Sequence, residues 1–179
     1  MSIEYRWGRE EDYKRIIELA NHAFAENDHT QDFEKNTSET SFFPFILPKL
    51  YQNIETAPMH YLAVKDGEFV GNVGLFEQPM MVNGELLHVG GIGTVCVRPG
   101  HRREGFMKKL MNDVIEKARA DQKDYLILGG QRQRYENWGF GCAGMNSVFT
   151  FDYGNFRRLF SEDADFGYSF QKLGKEDRE

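Results

Sequence analysis

The run HVGGIGTVCVRPGHRREGFMKKLM, residues 88–111, leaves few folds open to this chain. Its first half has the apolar, β-branched content of a buried strand, yet Gly90, Gly91 and Gly93 fall inside it. Glycine weakens a strand interior and marks a bulge or the close approach of another backbone or a ligand. Pro99 then stops the ladder, because proline has no N–H to give. A donor-rich loop follows over residues 100–105. Phe106, Leu110, Met111, Val114, Ile115 and Ala118 then recur at helical spacing. The pattern predicts a long strand over 86–97 feeding a helix over about 103–120.

The rest of the chain supplies the sheet. A short strand is expected at IEYRW and a helix over about 10–26, where Tyr13, Ile16, Ile17, Leu19, Ala20, Ala23 and Phe24 share one face. Two hairpin turns are written as Asp66-Gly67 and Asn83-Gly84, dipeptides that accept the positive φ of a two-residue turn. DYLILGG reads as a buried strand and RQRYENWGF as a short helix ending at Gly139; MNSVFTFDY and FGYSFQKL read as closing strands. A meander followed by strand–helix–strand implies an α/β (α+β) fold with a mixed, mostly antiparallel central sheet and helices on both faces. The expected organisation is a single domain over 1–179, compatible also with the N-terminal part of a longer protein.

Composition narrows the function classes. With 40% hydrophobic and 28% charged residues the chain is globular rather than disordered. No apolar run approaches the roughly 20 residues of a membrane span, and the start lacks a signal peptide's apolar region, so a cytoplasmic protein is expected. Cys96 and Cys142 match no metal or redox spacing, and no metal is expected. The net charge of −6 is uneven: residues 98–134 hold ten Lys/Arg against five Asp/Glu, whereas the stretch before His60 holds eleven acids against six bases. That split suits a phosphate-bearing ligand on the basic segment and a cationic partner elsewhere. Nucleic acid is not expected, since no recognised binding motif accompanies the basic residues.

The loop itself is an anion site built from backbone. Val97 ends the strand, and the helix beyond the loop points its unpaired N–H groups and positive dipole end back at it. At Gly105 no side chain stands between those donors and a phosphate.

The residues Val97-x-Pro99-x-x-Arg102-Arg103-x-Gly105-Phe106 resemble the acetyl-CoA signature of the GNAT superfamily of N-acetyltransferases, V-x-P-x-x-R/Q-x-x-G-x-G/A. Tyr135 to Phe140, YENWGF, matches the Y-E-x-x-G-F element of many members, and the separation of the two fits one helix and one strand. The likeness covers about residues 3–152. The last Gly/Ala of the loop motif is Met107 here, and HRREGFMKKLM more closely resembles the enhanced-intracellular-survival type of acetyltransferase, where a bulkier residue is usual at that position. Those enzymes acetylate aminoglycosides or other amines and carry further domains and a chain-terminal carboxylate, and the resemblance is expected to extend to their N-terminal catalytic domain alone.

The resemblance implies a GNAT-like fold and acetyl-CoA as cosubstrate. Its pantetheine arm would pair with the strand along residues 91–97, which is one reading of the glycines; a bulge or relief of crowding is the other. Implied contacts are Val95, Cys96 and Val97, then Arg102, Arg103, Glu104, Gly105, Phe106, Met107 and Lys108 around the pyrophosphate, with Gly130 and Gln131 beside the pantetheine. The backbone N–H near Val95 would polarise the thioester carbonyl. Tyr135 would be the general acid for the leaving thiolate.

The general base is open. Relatives use a carboxylate where this chain has Gly91, and Glu77 and His88 are the nearest candidates, against a water chain or a base from another domain. Cys96 as a nucleophile lacks His–Asp support, and an inert packed thiol is preferred. In the implied fold SFFPFILPKLY is expected to wall the acceptor side, although Phe42, Phe43 and Phe45 within it are read as core residues before pocket ones. The expected activity is acetylation of a primary amine on a small cationic acceptor, compatible with self-association. A non-catalytic acyl-CoA-binding module and a protein or peptide N-acetyltransferase are the alternatives.

Overall fold

A computed structural model describes residues 2–24 and 53–143. By internal contacts the chain divides into Met1–Phe140 and Gly141–Glu179, and every element below belongs to the first unit. The expected strands at MNSVFTFDY and FGYSFQKL and the aromatic segment SFFPFILPKLY lie outside the described residues.

Among the described residues five strands form the main sheet: β1 (Ile3–Trp7), β2 (His60–Lys65), β3 (Glu68–Glu77), β6 (Val89–Val97) and β7 (Tyr125–Leu128), in the order β1-β2-β3-β6-β7. Every pairing is antiparallel except β6 with β7, which is parallel. β4 (Met80–Val82) and β5 (Glu85–Leu87) make a separate two-stranded ribbon. Both predicted hairpin turns form, with Asp66 and Gly67 at φ 49° and 83° and Asn83 and Gly84 at 51° and 86°. These are the left-handed conformations such dipeptides accept. The strand expected over 86–97 is instead broken at His88. There Asp124 accepts a hydrogen bond from the His88 N–H and donates its own N–H to the His88 carbonyl, so the chain leaves the ribbon and joins the main sheet.

The two faces of the sheet are read from strand alternation. Helix α1 (Tyr13–Phe24) covers one face, packing Ile16, Leu19 and Ala23 on Leu62, Val64, Phe69 and Cys96. Its first turn is preceded by a 3-10 turn over Glu10–Asp12, where Arg6 grips the buried Asp12 carboxylate at 2.6 and 3.0 Å. Helix α2 (Phe106–Ala120) covers the other face with Phe106, Leu110, Met111 and Val114 against Ala63, Val70, Val73 and Ile92. α2 starts at Phe106 rather than near Arg103, because Arg103 and Gly105 sit at φ 71° and 86° and hold the loop out of helical geometry. A short helix α3 (Arg132–Tyr135) and a 3-10 turn (Glu136–Trp138) end at Gly139, φ 85°.

The strand glycines answer to protein side chains. A Cβ at Gly93 would stand 3.1 Å from the Phe76 ring, one at Gly90 2.6 Å from Leu126, and one at Gly91 2.5 Å from Gln78. β7 pairs with β6 only from Val89 to Ile92. The β6 edge facing β7 is therefore free of that partner from Gly93 onward, two residues later than a cofactor lying along residues 91–97 requires. Crowding accounts for Gly90 and Gly91.

Candidate active site

Beyond Ile92 the strands β6 and β7 part, and a cleft of about 700 Å³ opens at the C-terminal end of β6. Val95, Cys96 and Val97 form its floor and the α2 loop its rim, through Arg102, Arg103, Gly105, Phe106, Met107 and Lys108. Four cationic side chains line it (Arg102, Arg103, Lys108 and Arg134), and among the described residues no carboxylate does. The first hydrogen bond of α2 runs from Lys109 N to Gly105 O at 3.1 Å, which leaves the N–H groups at the helix start without helical acceptors. A Cβ on Gly105 would meet nothing within 4 Å, so the backbone there stands open to an incoming group. This donor set fits a pyrophosphate: helix-end N–H groups, the dipole and four cations act together.

Glu104 is the exception in the loop. Its carboxylate accepts from Lys65 Nζ at 2.6 Å and pairs with His101 Nδ1 at 2.9 Å, and the Lys65 contact chiefly holds it below the usual carboxylate range. Its side chain is thus engaged in bracing the loop against β2, and it is absent from the cleft wall.

The strand floor carries an irregularity. Gly74 pairs with Gly93 and Asn72 with Cys96, so Val73 alone faces both Thr94 and Val95. This two-against-one count is a β-bulge. Thr94 takes φ 49°, a conformation that β-branched residues rarely adopt.

Tyr135 is itself absent from the cleft lining, but it lies in sequence between two residues that line it, Arg134 and Trp138. It is 8% exposed, stacked over Gly130, where an added Cβ would lie 2.9 Å from its ring, and edge-on to Phe140. Burial raises its pKa, with Arg134 opposing and Cys96 adding to the rise. Among the described residues its hydroxyl makes no hydrogen bond, although a buried phenol usually finds a partner. Gly130 and Gln131 follow β7 and precede α3, outside the cleft lining.

The two base candidates are not brought to the cleft. Glu77 pairs with Gly90 across the sheet and its carboxylate is held by Lys123. Gly90 lies about 16 Å of strand from Val95, at about 3.3 Å per residue. His88 is exposed at the ribbon junction. Cys96 is buried and its thiol is pushed up to about 12 by desolvation, which suits a packed thiol and not a nucleophile. Ala23, Phe24, His101, Arg134 and Trp138 also line the cleft and were not anticipated. Arg134 and Trp138 stand four residues apart, a spacing that places both on one side of a helical turn and was available in the sequence.

A family model described as Acetyltransferase (GNAT) domain matches residues 4–143. No curated protein sequence matches the chain. Among solved structures, a GNAT family acetyltransferase from Brucella melitensis in complex with acetyl-CoA aligns with TM-score 0.60 and 19% identity, covering 79% of this chain and 84% of that one. A probable N-acyltransferase from Enterococcus faecalis aligns with TM-score 0.60 and 17% identity over 78% of this chain and 32% of that one. Eis1 from Mycobacterium abscessus gives TM-score 0.58 and 15% identity over 78% and 31%. At these identities the likeness is one of fold. The chain spans about a third of the length of the last two.

Proposed function

The chain belongs to the GNAT acetyltransferase domain family, and on that premise we propose that it transfers the acetyl group of acetyl-CoA, by direct attack, to a primary amine of a small cationic acceptor. The observation that carries the reading is the cleft at the free end of β6, where four cationic side chains and the start of α2 line one wall. When bound, acetyl-CoA supplies an acetyl thioester already activated for attack. The α2 loop holds the pyrophosphate through backbone N–H groups and Arg102, Arg103 and Lys108. The β6 edge from Gly93 gives main-chain partners to an extended arm, in the manner of an added strand. The Val95 N–H polarises the thioester carbonyl. Tyr135, kept protonated by burial, delivers its proton to the departing thiolate.

The attacking amine must be neutral, and neither Glu77 nor His88 stands near enough to deprotonate it. Loss of its proton to water meets the requirement, and the rate then rises with pH until the amine is free. The cationic class of acceptor rests on charge: eleven acids against six bases before His60 attract cations and repel acidic amines. Among the described residues no helix is long and apolar enough to cross a membrane.

The test is release of CoA thiol with a panel of polyamines, aminoglycosides, neutral amines and acidic amino acids. Turnover is expected with the cationic set, weakening as added salt shortens the Debye length to roughly 3 Å at 1 M. Binding of acetyl-CoA with no turnover on any amine would favour a non-catalytic module instead. Preference for acidic or neutral amines would remove the charge argument alone.

A further inference from the structure

Two polar side chains are sealed inside the sheet on the α1 side of the cleft floor. Asn72 is 0% exposed and His60 1%. Buried polar groups are retained where their hydrogen bonds are satisfied, and an apolar pair of the same shape is often as stable. Asn72 and His60 meet through the imidazole Nδ1, at 3.2 Å from Oδ1 and 3.1 Å from Nδ2. The Asn72 amide also donates to the Thr94 carbonyl at 3.3 Å. Thr94 is the left-handed residue of the bulge, and the residue after it, Val95, lines the cleft.

We propose that Asn72, oriented by His60, is a positioning residue that clamps the Thr94 bulge so that the backbone at Val95 faces the acetyl carbonyl. The inference rests on the acetyltransferase reading. A threonine at φ 49° is strained and persists only where its surroundings over-determine it. The Asn72 amide supplies that constraint directly on the carbonyl of the strained residue, from the neighbouring strand. His60 is the natural holder of the amide, since burial keeps its ring neutral and thus able to share one hydrogen bond with Asn72 in either tautomer. The Phe76 ring meets His60 edge-on at 5.3 Å and also covers Gly93, the residue before Thr94. The bulge is therefore packed at Gly93 and hydrogen-bonded at Thr94.

The experiment is infrared difference spectroscopy of acetyl-CoA carrying a carbon-13 label at the thioester carbonyl, bound to the full chain. Wild type is expected to lower the carbonyl frequency relative to free acetyl-CoA. Asn72→Ala is expected to lose most of that shift while still binding CoA. Asn72→Asp, which keeps the volume and turns an acceptor toward the Thr94 carbonyl, is expected to lose it as well. In Asn72→Ala/Thr94→Gly the shift should largely return, because glycine adopts the left-handed conformation without a clamp. A merely structural asparagine predicts no such rescue. A wild-type shift retained in both single variants, or a double variant no better than Asn72→Ala, overturns the clamp and leaves the acetyltransferase reading standing. Failure of wild type to bind acetyl-CoA or to shift its carbonyl would overturn that reading and the clamp with it.

Discussion

Acidification should destabilise this fold in part through a buried imidazole. His60 is buried against Asn72 and Phe76, and desolvation lowers its pKa from 6.5 to about 4. Above pH 6.5 neither the folded nor the unfolded chain holds the proton, so the shift costs nothing. Below it the unfolded chain takes up a proton that the folded chain refuses until about pH 4. Stability therefore falls as pH drops from 6.5 to about 4 and levels off beyond, by this group alone. At 1.36 kcal/mol per unit, the loss is about 2 kcal/mol at pH 5 and about 3 kcal/mol at pH 4. Carboxylates complicate the raw curve, because Asp12 is held low by Arg6 and loses its own stabilisation in acid. His60→Gln removes the titration and keeps a neutral polar side chain, so the difference between the two proteins isolates the imidazole. Urea unfolding followed by tryptophan fluorescence at pH 7, 6, 5 and 4 should show wild type losing about 2 kcal/mol more than the variant by pH 5. Parallel curves, or an NMR titration placing the folded His60 near 6.5, would refute the reasoning.

Tyr135→Phe should lower CoA-thiol release by about 10–10⁴-fold with acetyl-CoA affinity little changed; an equal loss of both would mark a structural tyrosine. Since burial raises this phenol above its ordinary value, the alkaline fall in turnover should lie above pH 10, and a fall near pH 8 would exclude it as the acid. Alkylation of the folded protein at pH 8 should modify exposed Cys142 and spare Cys96, whose thiol lies at about 12, as read by peptide mass spectrometry. Comparable labelling of both would contradict the packed-thiol account. Leu110→Ala, at the centre of the α2 face against Gly71, should cost about 2–5 kcal/mol in thermal or denaturant unfolding.

The parts of the fold legible in the sequence are those governed by local conformation. Asp66-Gly67 and Asn83-Gly84 announce their turns because their φ values demand such residues. Pro99 and Gly105 announce the loop for similar reasons. The break at His88 is not local, since it depends on Asp124 arriving from the end of α2 to take both backbone groups. The glycines of β6 invite a ligand when read alone; only the cross-sheet register brings the Phe76 ring over Gly93 and Leu126 against Gly90. His60 and Asn72 look like ordinary positions in two strands until that same pairing buries them together beneath Thr94.

The central claim is that the acetyl-CoA pyrophosphate lies on the backbone at the start of α2. Calorimetric titration of acetyl-CoA into wild type, Gly105→Asn and Gly105→Glu tests it directly. Asparagine tolerates the left-handed φ of 86° better than other side chains and serves as the control for backbone strain. The account predicts an affinity for Gly105→Asn within several-fold of wild type, and a loss of at least about tenfold more for Gly105→Glu, roughly 1.4 kcal/mol. Equal affinity for the glutamate and asparagine variants would contradict it.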